Sequence, residues 1–398
     1  MRKILMLLIA VILLLPTTGC WNRRELNTLA IAVGIGIDKA GDNYEVSAQV
    51  VNPGEAAARK ATGTRSPVTL YRATGSSIFE ALRKMTKESP RKIYLSHVRI
   101  LVIGESMARE GIGEVIDFLS RDHEFRTDFF VVVAKEEKAA DLFTIMTTLE
   151  KLPSVELFNS LEMSERVWAP TIAVTLDKLL NDLTSQGKHV VLTGVRATGD
   201  KEIGKTEKNT ERIEQESRLK SNGMAVFNRD KLIGWLDETE SKSYNYITNH
   251  VKSTVGHIQC PDGGDLSLEV LRTHAEVSGK LVNDKPVIDV KLRVEQNVGE
   301  VKCSIDLTKP ESIQQIDTLS EEKIKGMIES TINKLKKQFK VDIFGFGEAF
   351  HRAEPKAWKT LGKDWDRQFV GLQVNVSVNV KTLRIGTITN SAKKEMKK

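Results

Sequence analysis

The sequence predicts a multi-domain α+β protein of mixed sheets with helices packed on them, and three observations predict it. Segments with β-branched runs or period-two alternation, such as Tyr44 to Val51 and Thr127 to Ala134, are interleaved with segments whose apolar residues recur every three to four positions. Strands and helices alternate in uneven order, which suggests sheets with helices packed on them rather than two similar lobes. A chain of 398 residues exceeds what one hydrophobic core serves, so two or three units are expected.

The elements follow in order. Leu29 to Asp38 and Tyr44 to Val51 flank Lys39-Ala40-Gly41-Asp42 and read as a β-hairpin with a four-residue loop. A third strand, Val68 to Ala73, leads into Ser77-x-x-Glu80, a capping-box spacing that starts a helix with Ile78, Leu82 and Met85 on one face. Pro90 bars its continuation. Ile93 to Ile103 reads as a strand, Glu105 to Leu119 as one amphipathic helix despite Gly111 and Gly113, and Thr127 to Ala134 as a strand. A helical stretch from Ala139 to about Leu183 is broken near Pro153 and Pro170, and His189 to Arg196 is a strand.

Gly199 to Lys220 is charged at most positions, with only Ile203, Ile213 and Leu219 as large apolar residues, and is expected to be a mobile excursion. A hairpin around Asn228 to Lys231 follows, then strands at Val251 to Ile258, Leu266 to Leu281 and Val287 to Gln296. Thr318-x-x-Glu321 reads as a second capping box, opening a long helix with Ile324, Met327, Ile328, Thr331, Leu335 and Phe339 on one side. Final strands are expected at about Leu372 to Leu383.

The first nineteen residues read as a leader rather than as part of the fold. Arg2 and Lys3 give a positive start, Ile4 to Leu15 an unbroken apolar run, and Pro16-Thr17-Thr18-Gly19 a small-residue approach to Cys20. The apolar run is too short to span roughly 30 Å of hydrocarbon. Ordinary leader cleavage does not require cysteine after the cut, whereas the lipoprotein pathway uses that thiol as acyl acceptor. The Gly19-Cys20 pair therefore predicts cleavage between these two residues and an S-diacylglyceryl Cys20, open to further N-acylation, held in membrane lipid by its two chains. The expected organisation is a signal peptide at 1–19, a lipidated tether at 20–28, an α+β region at 29–196 that could divide near 150–190, a β-rich middle at 197–298 containing the charged excursion 199–220, an α+β unit with a long helix at 299–390, and a basic tail at 391–398.

Composition and motifs exclude more than they assign. The net charge of +6 is spread with Lys and Arg interleaved among Asp and Glu, which argues against a nucleic-acid partner. No His-Glu-x-x-His array, Cys-x-x-Cys, Gly-x-Ser-x-Gly elbow or Walker loop occurs, so no metal, cofactor or catalytic residue is assigned. Gly34-Ile35-Gly36 lacks the third glycine of a dinucleotide loop and reads as close backbone approach within a sheet. Gly345-Phe346-Gly347, flanked by Phe344, Phe350 and Trp358, reads as core packing rather than a phosphate loop. Arg121-Asp122-His123-Glu124-Phe125-Arg126 reads as a solvated turn. Cys260 and Cys303 permit one bridge without implying it.

The run Gly19-Cys20-Trp21-Asn22-Arg23-Arg24-Glu25-Leu26, with Gly34-Ile35-Gly36-Ile37-Asp38 beyond it, resembles the mature start of Ger(x)C lipoproteins. The resemblance continues in Ser96-His97-Val98, Val102-Ile103-Gly104-Glu105, Ala108-x-x-Gly111-Ile112, Asp117-Phe118-Leu119-x-Arg121, and Asp342-Ile343-Phe344-Gly345-Phe346-Gly347 with Trp358 and Trp365. Asn22, where the family often has Asp, and Thr17 in the lipobox depart from its pattern. The resemblance implies a three-domain, non-enzymatic C subunit of a spore nutrient germinant receptor. It implies an integral-membrane transporter-like subunit and a second membrane subunit as partners, and a place on the outer face of the spore inner membrane. A solute-binding lipoprotein of a transporter is the alternative, and would predict two similar lobes around a cleft; an exported envelope hydrolase is a third reading.

Overall fold

The computed structural model describes residues 2–4, 28–53, 56, 66–260 and 263–384. Among them, thirteen strands form two sheets. The first hairpin is β1 (Leu29–Ala40) and β2 (Asn43–Val51), antiparallel in register from Ala40↔Asn43. Its loop is thus two residues rather than four, turned by Gly41 at φ +60°. β3 (Val68–Gly75) adds to β2, and Ser77 caps α1 (Ile78–Lys84) by accepting from the Glu80 N–H at 3.1 Å. The Glu80 carboxylate reaches back to the Ser76 N–H instead of the Ser77 N–H, so only half of the expected box closes.

Ile93 to Ile103 is two strands, β4 (Lys92–Tyr94) and β5 (Ile100–Gly104), both parallel to β1 at successive levels. The helix expected over Glu105 to Leu119 is likewise two, α2 (Glu105–Glu110) and α3 (Gly113–Arg121). The break is Gly111, at φ +140°, where a Cβ would lie 2.7 Å from the Asp230 carboxylate, and the next N–H, of Ile112, goes to the Asp230 carbonyl at 2.9 Å. β6 (Phe130–Ala134), α4 (Ala139–Leu142), α5 (Pro153–Val167), α6 (Leu176–Thr184) and β7 (Val191–Gly199) follow.

β8 (Ser217–Asn228) and β9 (Lys231–Leu236) close the first sheet, whose order is β3-β2-β1-β5-β6-β7-β8-β9, with β4 beside β1. β1, β5, β6 and β7 are mutually parallel, and the flanking strands are antiparallel. Burial on both faces explains the runs in β5 and β6. Leu101, Ile103, Val131 and Val133 enter one core, while Ile100, Val102, Val132 and Ala134 meet Leu142, Phe143, Leu157 and Leu161 in another.

The charged segment Gly199 to Lys220 departs from the expected excursion. Asp200 caps α7 (Lys201–Gly204), β8 begins at Ser217, and the buried Asn209 side chain donates to the Met146 and Ser217 carbonyls and accepts from the Ser217 N–H. Polar side-chain bonds substitute there for the apolar burial that the composition lacks. Ile213 is the fully exposed apolar residue of this segment.

α8 (Glu238–Ile247), with a complete Asp237/Glu240 capping box, leads into the second sheet. This sheet contains β10 (Thr254–Gln259), β11 (Asp265–Val282), β12 (Lys285–Val301) and, after a helical crossover, β13 (Gln373–Arg384) in sequential order. The expected middle region therefore supplies strands to both sheets: β8 and β9 to the first, β10 to β12 to the second. The last strand is one rather than several, and lies parallel to β12.

α9 (Pro310–Lys334) starts well before the presumed second capping box, with Pro310 in its first turn. Thr318 lies inside the helix and donates to the Gln314 carbonyl, while Glu321 and Asp317 accept from the Val380 and Thr382 N–H groups along β13. These carboxylates occupy edge donors that would otherwise be open to another strand. Cys260 and Cys303 are bonded, with Cα atoms 6.4 Å apart, beside a small core of Ile258, Leu266, Leu268, Val298, Leu307 and Ile316.

Candidate functional site

Gly19 and Cys20, the residues assigned to cleavage and lipidation, lie outside the described residues, as does the basic tail. The structure does fix where the chain enters the fold. Leu29, at the start of β1, pairs in parallel register with Lys92, at the start of β4. Among the described residues no helix is long and apolar enough to cross a membrane, and no group of three or more His, Cys, Asp or Glu is placed to hold a metal ion.

Gly34-Ile35-Gly36-Ile37-Asp38 is explained by alternation along β1. Ile35 and Ile37 face the main core. On the opposite face a Cβ at Gly34 would lie 2.7 Å from Ser154 Cβ and 2.9 Å from the Phe143 ring, and one at Gly36 would lie 2.4 Å from Ser47 Oγ. The close approach is thus to side chains of β2 and of the helical layer. Asp38, on the same face, is 1% exposed and accepts from the Ala139 and Ala140 N–H groups at 2.8 and 3.1 Å, tying β1 to the start of α4. Burial pushes its carboxyl above the ordinary range against the pull of these two donors.

A second buried carboxylate organises the junction between the sheets. After α9 a π-type turn, Leu335–Phe339, ends at Lys340 in the left-handed region, φ +59°. Asp342 then accepts from the N–H groups of Phe344, Gly345 and Gly347 and from the Trp365 indole at 2.8–3.1 Å. A phosphate loop needs free N–H donors. Here the chain's own carboxylate occupies them, so Gly345-Phe346-Gly347 is a packing turn. Burial raises the Asp342 carboxyl, opposed first by the Trp365 indole and then by the loop N–H groups.

Around this turn, Phe346, Phe350, Phe369, Trp358 and Trp365 are buried, with Trp358 and Trp365 centroids 5.2 Å apart. The turn also grips the first sheet unit. The His189 N–H donates to the Asp342 carbonyl at 2.7 Å, the Ser185 hydroxyl donates to Glu348 at 2.7 Å, and a Cβ on Gly347 would lie 2.6 Å from Gly187 Cα. Nearby, Lys178 and His250 face one another at 2.9 Å. Burial, then the Lys178 charge, holds the imidazole neutral with its pKa pulled down to about 3.

Sequence reasoning singled out the residues of the Asp342 turn but not Asp342 as its acceptor. An Asp followed by Phe-Gly-x-Gly at the start of a helix was the available signal. The Lys178–His250 pair and the role of Asp38 carry no local signature. Within Arg121-Asp122-His123-Glu124-Phe125-Arg126, Arg121 pairs with Asp117, Glu124 pairs with Lys92, and the Ser96 hydroxyl donates to the Glu124 carbonyl.

Such an arrangement is suited to holding two unlike sheet units rigidly together, and it defines a two-sheet α+β protein whose distinctive motifs serve internal architecture. Residues 22–197 match the family described as "Spore germination protein N-terminal domain", and residues 222–386 match "Spore germination B3/ GerAC like, C-terminal". The chain belongs to the Ger(x)C family of spore germination proteins. It is 31% identical to Bacillus subtilis "Spore germination protein KC", covering 100% of this chain and 99% of that one, and 20% identical to "Spore germination protein B3" of the same organism, covering 94% and 96%. The solved "Crystal Structure of the GerBC protein" superposes with a TM-score of 0.54 at 16% identity, covering 91% of this chain and all of that one, and so shares the fold.

Proposed function

We propose that the chain is the lipid-anchored C subunit of a spore nutrient germinant receptor, acting through protein contacts beside an integral-membrane transporter-like subunit and a second membrane subunit. The observation that carries this reading is the likeness along the full length of the chain to spore germination proteins. The Cys260–Cys303 bond supports export, since structural disulfides persist in oxidising compartments. Gly19-Cys20 after an apolar leader supports lipidation at Cys20 and placement on the outer face of the spore inner membrane. The two sheet units are unlike, which favours this reading over a solute-binding protein with two matching lobes.

The test is deletion in a strain without a redundant paralogue, scoring germination on single nutrients. Loss of the response to at least one nutrient is expected, and an unchanged response to all of them overturns the proposal. Cys20→Ala is expected to impair germination by displacing a folded protein from the membrane, checked by fractionation together with germination rate.

A further inference from the structure

Two surface features are complementary in shape and charge, and the fold uses neither. The first is a groove where α8 and α9 meet β10, the end strand of the second sheet. Lys242 and Tyr246 line it from α8, Lys323, Ile324 and Met327 line it from α9 at three-four spacing, and Val255 lines it from β10. Its lining is mainly apolar, its lysines are Lys242 and Lys323, and no carboxylate of the described residues lines it. Lys323 donates to the His257 carbonyl and meets no carboxylate among the described residues. Lys242 is 3.3 Å from Glu238 and 3.6 Å from the centre of the Trp168 ring. Through that contact the apolar surface continues onto Trp168 and Val167, both exposed.

The second feature is the turn that follows Asn209. Ile213 is fully exposed there, between Glu211 and Glu214. Arg212 pairs with Glu216, whereas Glu211 and Glu214 are exposed and meet no cation among the described residues. The turn is held, since the Asn209 side chain donates to the Met146 and Ser217 carbonyls on either side of it.

An aliphatic side chain between carboxylates fits an apolar groove whose charged groups are lysines. Because Ile213 is fully exposed, it does not fill the groove of its own chain. The longer segments outside the described residues, 5–27, 57–65 and 385–398, each carry more Lys and Arg than Asp and Glu, and like charge disfavours them as occupants. We propose that the Ile213 turn of one copy docks in the groove of a second copy, with Glu211 and Glu214 against Lys323 and Lys242. Turn and groove are different patches, so the contact is heterologous: each copy receives one neighbour and offers its turn to the next, in a row or a ring. The proposal goes beyond the receptor-subunit reading and does not depend on it. One aliphatic anchor with a charged rim makes a small, weak contact, so covalent capture is the suitable readout.

The experiment makes the full chain with a benzophenone amino acid at Met327 or, separately, at Val255. The chain is irradiated at rising concentration, and tryptic peptides of the adducts are read by mass spectrometry. The expected result is a dimer of the chain, cross-linked within Glu211 to Arg218, whose yield rises with concentration. Ile213→Asp, at a position where no packing is lost, should cut that yield at least about tenfold. Lys323→Glu in the benzophenone chain should also lower it, and mixing that chain with one carrying Glu214→Lys should restore it. No dimer from either position at any concentration overturns the proposal. So does a dimer cross-linked elsewhere, or one indifferent to Ile213→Asp and to the charge exchange. Irradiation in host membranes that yields adducts to another protein and none to a second copy assigns the groove to that partner and also overturns it.

Discussion

Asp342 and His250 show what single buried groups do in this protein. Asp342 is fully enclosed and satisfies four N–H donors, three of its own turn and one from Trp365. Asp342→Asn replaces one acceptor oxygen with a donor that faces donors, so unfolding in urea should show a loss of about 3 kcal/mol. His250 has its pKa pulled down to about 3, whereas an unfolded histidine titrates near 6.5. Between those values the unfolded chain binds a proton that the folded one refuses. The stability contributed by the neutral imidazole is therefore complete above about pH 6.5 and falls as the pH drops toward 3, by up to a few kcal/mol. Urea midpoints from pH 7 down to 4 should decline accordingly, and His250→Gln should flatten the slope. Trp365 stood in the same motif as Asp342, but neither contact was legible in the sequence, because Trp365 and Lys178 lie 23 and 72 residues away from their partners.

Local patterning located most elements, and the differences have identifiable causes. The hairpin of β1 and β2 and the cap of α1 depend on neighbours in sequence and were readable from Gly41 and Ser77. The helix expected through Gly111 and Gly113 had the correct apolar spacing, yet it breaks because Asp230, far along the chain, occupies the space and offers its carbonyl to Ile112. Gly111→Ala would combine a disfavoured φ of +140° with a Cβ 2.7 Å from a carboxylate, and thermal melting should show roughly 2 kcal/mol of destabilisation. Thr318-x-x-Glu321 misled for a related reason. The spacing is that of a cap, but within α9 the carboxylate serves β13. The same residue types bind backbone N–H groups in either setting.

At the scale of the molecule, the nine-stranded sheet includes strands on both sides of the break between the two matched family regions, since β8 and β9 complete a sheet begun at β1. The Asp342 turn then locks the helical crossover of the second unit to His189 and Gly187 of the first. The Cys260–Cys303 bond closes a loop of 43 residues. Replacing both cysteines with serine should lower stability by up to about 4 kcal/mol in the loop-entropy picture, read as a shift of the urea midpoint that reductant no longer alters.

The sequence by itself determined the apolar N-terminal run with the cysteine after it, the periodicities of strand and helix, and the turn residues. All of these are local in the chain, where side-chain pattern and backbone preference act over a few residues. Tertiary structure alone decided that β5 lies beside β1, that β13 runs parallel to β12, that the two cysteines meet, and that a polar segment is held by Asn209. It also decided that the motif around Asp342 is a buried brace. Each depends on which distant groups arrive within hydrogen-bonding or packing distance, and the free energy of that encounter is carried by burial rather than by local pattern.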